Sequence, residues 1–335
     1  MKKIINKPEN FVDETMEGIE LAYGDKVKLL NGDKRILVTN YPVQKGKVGI
    51  VTAGGSGHLP TFLGYVGQGL LDGCAVGNVF ASPSSQKMAD MIKACDYGSG
   101  VLCLYGNYGG DTMNFEMACE LAEFDDVQTA QVRVRDDVAS SPVENADKRR
   151  GVAGMVYAFK VAGAAAEKMM SLEEVVAVTE KALANIKTIG VATSPCIVPE
   201  VGKPTFSIDE DKIEIGMGIH GEPGIEVRQM MTADEIAQVA VDTLTKEMPL
   251  GEGDEVSVMV NGLGATPLEE QLIVYRKLHM LLADKGVKVY MPHIGEFATS
   301  MEMAGLSVTF FKLDAQLKEL LASPAKSPFY TNLNK

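Results

Sequence analysis

The sequence predicts an α/β protein of two domains, the first with a largely parallel sheet and the second a smaller α+β unit. Three observations lead there. Apolar, β-rich runs alternate with helical patterns in the first half. Glycine-rich loops close two of those runs. A length of 335 residues exceeds one minimal core and fits about two domains.

Taken in chain order, residues 47–51 read as a strand leading into a glycine-rich turn, Thr52-Ala53-Gly54-Gly55-Ser56-Gly57-His58. Residues 101–105 read as a second strand, followed by the loop Gly106-Asn107-Tyr108-Gly109-Gly110-Asp111. Met113, Met117, Leu121 and Phe124 then recur at helical spacing, and residues 127–134 form another strand. In such sheets ligands gather where strands end and loops begin, so these two loops are the expected place for a site.

Residues 151–186 are helix-rich, and Ala162-Gly163-Ala164-Ala165-Ala166 permits close helix packing. Pro195, Pro199 and Pro204 punctuate the next segment, and the division is set at residues 1–188 and 189–335. Beyond it, Ile213, Ile215, Met217 and Ile219 alternate up to His220. Residues 256–260, 287–291 and 307–312 read as strands, Asn261 to Pro267 as a turn, and residues 268–283 as an amphipathic helix. The tail, 323–335, is expected to be irregular and to pack on the first domain.

Composition narrows the function. With 46% hydrophobic and 23% charged residues the chain reads as soluble and globular. No apolar run approaches the roughly 20 residues of a membrane span, and the N-terminus lacks a signal-peptide pattern, so a cytoplasmic location is expected. A net charge of −13 without a basic stretch argues against nucleic acid. Lys148-Arg149-Arg150 reads as a surface patch at a helix start. Five cysteines, odd in number and without CxxC spacing, read as reduced thiols. Neither HExxH nor a carboxylate cluster marks a metal, and none is expected.

Only four histidines occur. His220 lies between glycines in Gly216-Met217-Gly218-Ile219-His220-Gly221-Glu222-Pro223-Gly224, where a backbone and a ligand can approach closely. It reads as a nucleophile, base or ligand. His58 reads equally as a structural residue at a helix start or as a functional one. Asp111 reads equally as a helix N-cap or as a catalytic carboxylate. His279, inside a helix, and His293, after Pro292, read as structural. Gly216-x-Gly218-x-x-Gly221 matches the letters of a dinucleotide fingerprint but is followed by turn residues, not by a helix. No phosphate-cradling GxxxxGK[ST] is present, and Gly54 to His58 fails the nucleophile elbow because His58 stands where glycine is needed.

These residues and their surroundings resemble the substrate-binding K subunit of dihydroxyacetone kinases over nearly the whole chain. The matching stretches include Gly54-Gly55-Ser56-Gly57-His58, Phe80-Ala81-Ser82-Pro83, Asn107-Tyr108 with Gly110-Asp111, Arg149-Arg150-Gly151-Val152-Ala153, Gly202-Lys203-Pro204, Gly218 to Gly224 and Leu263 to Leu268. The resemblance implies that His220 adds to the ketone carbon of dihydroxyacetone as a covalent hemiaminal. It implies Asp111 as general base on the terminal hydroxyl and His58 as a hydrogen-bonding partner. Gly55, Ser56 and Gly57 would line the triose. It also implies a homodimer with no cofactor of its own, served by a separate L subunit carrying ADP and Mg that a phosphotransferase-system protein recharges. Three positions depart from the family pattern: Leu59 replaces a glutamate, Gly106 a lysine and Gly109 a threonine. Loss of a charged donor and a roomier loop lead to two alternatives. One is a kinase subunit for a four-carbon ketose such as erythrulose; the other is a non-catalytic, ligand-sensing coactivator.

Overall fold

The structure, a computed structural model, describes residues 2–333. Helix α1 (Phe11–Tyr23) precedes a hairpin of β1 (Val27–Leu30) and β2 (Asp33–Thr39). Its turn, Asn31-Gly32, holds φ of 52° and 76°, the left-handed pair that a two-residue hairpin turn needs. Next come β3 (Gly49–Ser56), β4 (Gly73–Val79), α2 (Ser85–Ala94), β5 (Val101–Gly106), α3 (Gly109–Glu123) and β6 (Thr129–Val134). The six strands lie in the order β1-β2-β4-β3-β5-β6, and β4, β3, β5 and β6 run parallel.

Strand β5 explains the continuous apolar runs. Val101, Cys103 and Tyr105 enter the core beneath α2 and α3. Leu102 and Leu104 enter the opposite core, built on α4 (Met155–Glu167) and α5 (Leu172–Ala184). A strand covered on both faces has no polar side to alternate with.

The second sheet begins with β7 (Ile186–Ser194). It continues through β8 (Lys212–Ile215), β9 (Glu226–Gln229), α6 (Ala233–Glu247), β10 (Glu255–Gly262), α7 (Leu268–Asp284), β11 (Lys288–Val289), β12 (His293–Gly295) and β13 (Ala304–Leu313). The order is β11-β10-β13-β7-β8-β9, with β12 also on β10. Apart from β11 and β12, which run parallel to β10, neighbours are antiparallel. Helices α6 and α7 cover one face. On the other, Met259 and Phe311 join the core of α4 and of α8 (Ala315–Ala322). Helix α4 is buried from Met155 through Ala166; its residues are apolar or small nearly all round, and the one buried cation, Lys160, donates to the Leu320 carbonyl (2.8 Å).

Ribbon strands β14 (Ala325–Lys326) and β15 (Thr331–Asn332) return the tail to the first half. Lys326 N donates to Gln68 O (2.9 Å) and Ser327 Oγ to Gly64 O (2.6 Å). Residues 334–335 of the expected tail lie outside the described residues.

Several expectations are corrected. Gly54, Gly55 and Ser56 belong to β3 rather than to a turn, because the missing side chains admit the Phe62 ring on one face and the Phe80–Ala81 backbone on the other. The alternating run ends as a strand at Ile215, where Gly216 takes φ 83°. The strand expected over 287–291 is limited to Lys288–Val289, and Met291 turns at φ 49°. The division at 188 falls inside β7, since the second sheet starts at Ile186. Along α3 most of the anticipated apolar face turns outward: Met113, Met117 and the C-cap Phe124 are 69%, 54% and 86% exposed and only Leu121 packs, half-buried, on the core, while Phe115, Ala118, Cys119 and Ala122 are buried. Two apolar stripes run along this helix, and spacing alone does not choose between them.

Gly163 of α4 packs where a Cβ would lie 2.5 Å from the Leu70 Cα. Gly163→Val is therefore expected to destabilise by about 1–3 kcal/mol through overpacking, read as a lower urea midpoint at unchanged slope.

Candidate active site

His58 follows the end of β3, where Gly57 takes φ 100°. The ring is 1% exposed, and Nδ1 lies 2.7 Å from the Thr299 carbonyl. A carbonyl only accepts, so Nδ1 carries the proton and Nε2 keeps its lone pair, without a protein partner. Burial, with help from His220, pushes the His58 pKa down to about 3. The ring stacks on Phe80 (4.9 Å between centroids) and meets His220 edge-on (4.8 Å).

His220 sits on the β8–β9 connection. Its Nδ1 is 2.8 Å from Glu222 Oε1, and its backbone N–H donates to Glu222 Oε2 (2.9 Å). Burial raises the Glu222 pKa, but the hydrogen bond and charge of His220 outweigh it and hold the carboxyl at about 2. Glu222 is thus ionised, Nδ1 is its donor, and Nε2 is free to act as base or nucleophile. Tyr108 and Phe80 meet the His220 ring edge-on at 4.8 and 5.2 Å.

The flanking glycines serve protein groups rather than a ligand. A Cβ on Gly218 would collide with the Glu222 carboxylate and Arg150, and one on Gly221 would lie 2.9 Å from Thr205. Arg150 binds Asp137 (2.8 Å) and the Gly216 carbonyl (2.9 Å), and reaches to 3.8 Å from Glu222. The Lys148-Arg149-Arg150 segment is accordingly no surface patch. Arg149 is buried and bidentate on Glu247 of α6, with Nη2 2.7 Å from Oε1.

Asp111 is the third residue of α3 and caps nothing; Tyr108 holds the N-cap position. Its carboxyl is buried and Oδ1 has no partner. Burial raises its pKa to about 6, opposed by the Ser82 hydroxyl and by the charge of His220. At the end of β3, Ser56 Oγ already donates to Gly77 O (2.7 Å). A Cβ on Gly55 would lie 2.7 Å from the Ala81 nitrogen.

A cavity of about 260 Å³ borders this strand end from the α1 side, lined by Phe11, Met16, Gly55, Gly57, Leu59 and Thr299 among others, but not by His58, Asp111 or His220. Leu59 therefore bears on this cavity. The two loop glycines differ. Gly109 faces open space, whereas at Gly106 a Cβ would be 3.1 Å from the Tyr108 ring, so only Gly109 adds room.

Of the other histidines, His279 is exposed on α7, and His293 is buried, 3.1 Å from the Tyr330 hydroxyl of the tail. The cysteines are free and buried. Among the described residues no cluster of His, Cys, Asp or Glu is suited to a metal, and no helix is long and apolar enough to cross a membrane. Sequence reasoning missed Glu222, Tyr108 and Arg150. Glu222, two residues after His220 within the same glycine-rich segment, was the signal available.

A neutral imidazole acceptor, a carboxylate-backed imidazole and a buried carboxyl with its pKa raised to about 6 are the acid–base and nucleophilic groups of a candidate small-molecule site. The chain belongs to the Dak1 domain family, whose model matches residues 17–329. It is 46% identical to the dihydroxyacetone-binding subunit of PTS-dependent dihydroxyacetone kinase 1 of Listeria innocua, over 94% of this chain and 95% of that one. To the L-erythrulose kinase of Pectobacterium atrosepticum it is 42% identical, over 98% of this chain and 56% of the longer relative. The structure of a dihydroxyacetone kinase operon co-activator superposes with a TM-score of 0.89 at 29% identity, covering 96% of this chain and 98% of that one.

Because burial raises the Asp111 pKa above its unfolded value, the folded state binds its proton more tightly and loses stability as pH rises from about 4 to about 6. Asp111→Asn is expected to stabilise the protein at neutral pH by about 1–3 kcal/mol, with the gain vanishing below pH ~4. Thermal unfolding across pH reads it.

Proposed function

We propose that this chain is the substrate-binding subunit of a dihydroxyacetone kinase, a phosphotransferase component that presents a small ketose for phosphorylation. The observation that carries the reading is the His220 imidazole, anchored through Nδ1 on an ionised Glu222 so that Nε2 retains its lone pair. Nε2 adds to the ketone carbon; the C=O π pair moves onto oxygen, which takes a proton from solvent. The positive charge left on the ring is held by Glu222, or is released by passing the Nδ1 proton onward. The product is a hemiaminal. Asp111, with its pKa near 6, accepts the proton of the terminal hydroxyl as that oxygen attacks phosphorus. His58 Nε2 accepts a hydrogen bond from a substrate hydroxyl, and the backbone of Gly55, Ser56 and Gly57 borders the ligand.

The phosphoryl group would come from a separate L subunit, whose bound ADP, recharged by a phosphotransferase-system protein, would yield its terminal phosphoryl group to the ketose hydroxyl and remain with Mg as the leaving group; the chain contributes no cofactor. The protein works as a homodimer in the cytoplasm. A second reading, a four-carbon ketose such as erythrulose, is favoured by the open space at Gly109 and by the similarity to an erythrulose kinase. A ligand-sensing coactivator would also bind ketose but would not pass phosphate.

Intact-protein mass spectrometry with dihydroxyacetone and, separately, erythrulose tests the reading. A ketose-mass adduct is expected on the native chain and absent from His220→Ala. An adduct that survives in that variant would sink the assignment, and the preferred ketose decides the substrate. Asp111→Asn should keep the adduct but lose phosphoryl transfer from an L subunit. Native protein that forms the adduct yet never yields ketose phosphate is a sensor.

Glu222→Gln should weaken adduct formation by about ten- to a hundredfold, the worth of one charged hydrogen bond at about 1.5–3 kcal/mol. Titration with the ketose followed by mass spectrometry measures it.

A further inference from the structure

The second sheet ends at β9, and among the described residues nothing pairs with its outer edge. All four residues of β9 are exposed. Apolar side chains crowd this ribbon: Ile225, Val227 and Met230 are 57%, 56% and 54% exposed. An open edge of this kind is a template for strand pairing, and charged side chains, proline or bulges are what decide which strand it accepts. Here the charges have opposite signs. Glu226 and Arg228 flank Val227 and pair with each other along the strand.

We propose that β9 is the edge at which two copies of this chain meet, antiparallel and two-fold about Val227, joining their second sheets into one. This rests on the proposed homodimer and names its surface. A two-fold axis at Val227 sets Glu226 opposite Arg228 of the second copy, and Arg228 opposite its Glu226. Both side chains lie on the same pleat face, beside Ile215 and Ile213 of β8. Four charges then alternate in sign around the axis. A register centred on 226 or on 228 would instead set glutamate against glutamate or arginine against arginine, which is unfavourable. The charge pattern thus selects one register and a self-pairing partner.

The backbone agrees. Met230 N donates to Asp211 O across the ribbon (2.8 Å), so by the alternation of antiparallel pairs the amides of Gln229 and Val227 point to the open edge. A hydrogen-bonded Val227–Val227 pair needs that orientation. On the opposite pleat face Ile225 and Val227 of each copy come together. The β8–β9 connection carries His220, so the joined edge also braces the site.

Sedimentation of the full chain over a concentration series tests this, with circular dichroism to verify folding. The native chain is expected to dimerise. Val227→Pro removes an outward amide without touching β8 pairing, and Arg228→Glu sets like charges opposite; each should raise the dimer dissociation constant by about tenfold or more. The charge-swapped double variant E226R/R228E should restore it. As an independent reading, Val227→Cys should cross-link between copies on oxidation. The Cα atoms of a hydrogen-bonded pair are about 5.5 Å apart, within disulfide reach, and the native cysteines are buried. Arg228→Cys should not cross-link. A native chain that is monomeric at every concentration overturns both the homodimer and this surface. A dimer indifferent to both single substitutions, with no Val227→Cys cross-link, overturns the surface alone.

Discussion

Arg150 is the group on which the arrangement of the site turns. It arises just after the 3-10 turn Val143–Lys148 of the first half, yet its guanidinium grips the Gly216 carbonyl at the point where β8 ends. Asp137 fixes it from one side (2.8 Å), and Glu222 lies 3.8 Å from it beside His220. One planar cation therefore sets the height of the loop that brings His220 against His58 and Tyr108. Arginine suits this task because its donors fan out in a plane and its charge is not lost on burial. Burial pushes the Asp137 pKa up to about 6, and Arg150 opposes that rise. Breaking a buried pair on one side costs about 3–5 kcal/mol, because the other charge is left unpaired.

Around that anchor, burial and partners sort the ionisable groups into different states. His58 is stripped of water and stays neutral, Glu222 is ionised despite burial, and Asp111 is poised between the two. Divergence of this kind among neighbouring ionisable groups is what separates acid from base in a site that holds both. The sheet supplies the stage: β3 and β5 are parallel, so their ends deliver His58 and the Asp111 helix to one side of the molecule. Helix α4, buried against both sheets, keeps the β8–β9 connection in register with them.

Much of this was legible in the chain itself. Consecutive apolar residues at 101–105, bounded by glycines, admitted no other strand, and the glycine-rich setting of His220 marked it. Other parts depend on tertiary partners. That Gly54 and Gly55 are strand residues comes from the Phe62 ring and the Phe80–Ala81 backbone lying against them, which no local signal encodes. The face of α3 that turns inward is chosen by packing against α2 and β5, not by its periodicity. Arg149 and Arg150 looked solvated because their partners, Glu247 and the Gly216 turn, lie far along the sequence. Helices α1, α2, α6 and α8, the β1–β2 hairpin and strands β4, β7 and β9 completed the fold beyond what alternation alone indicated.

The hydrogen bond between His58 and Thr299 joins residues 241 positions apart. Thr299 N also donates to His58 O, and Met301 N to Gly57 O. A ribosome making this chain therefore releases His58, Asp111 and His220 long before the backbone that orients the first of them exists. The nascent protein has these residues but no site, and closure over so long a separation waits until Thr299 has been made. Ligand capture is in this sense a property of the finished molecule, and truncation ahead of Thr299 would leave a chain with its chemistry intact in composition and absent in space.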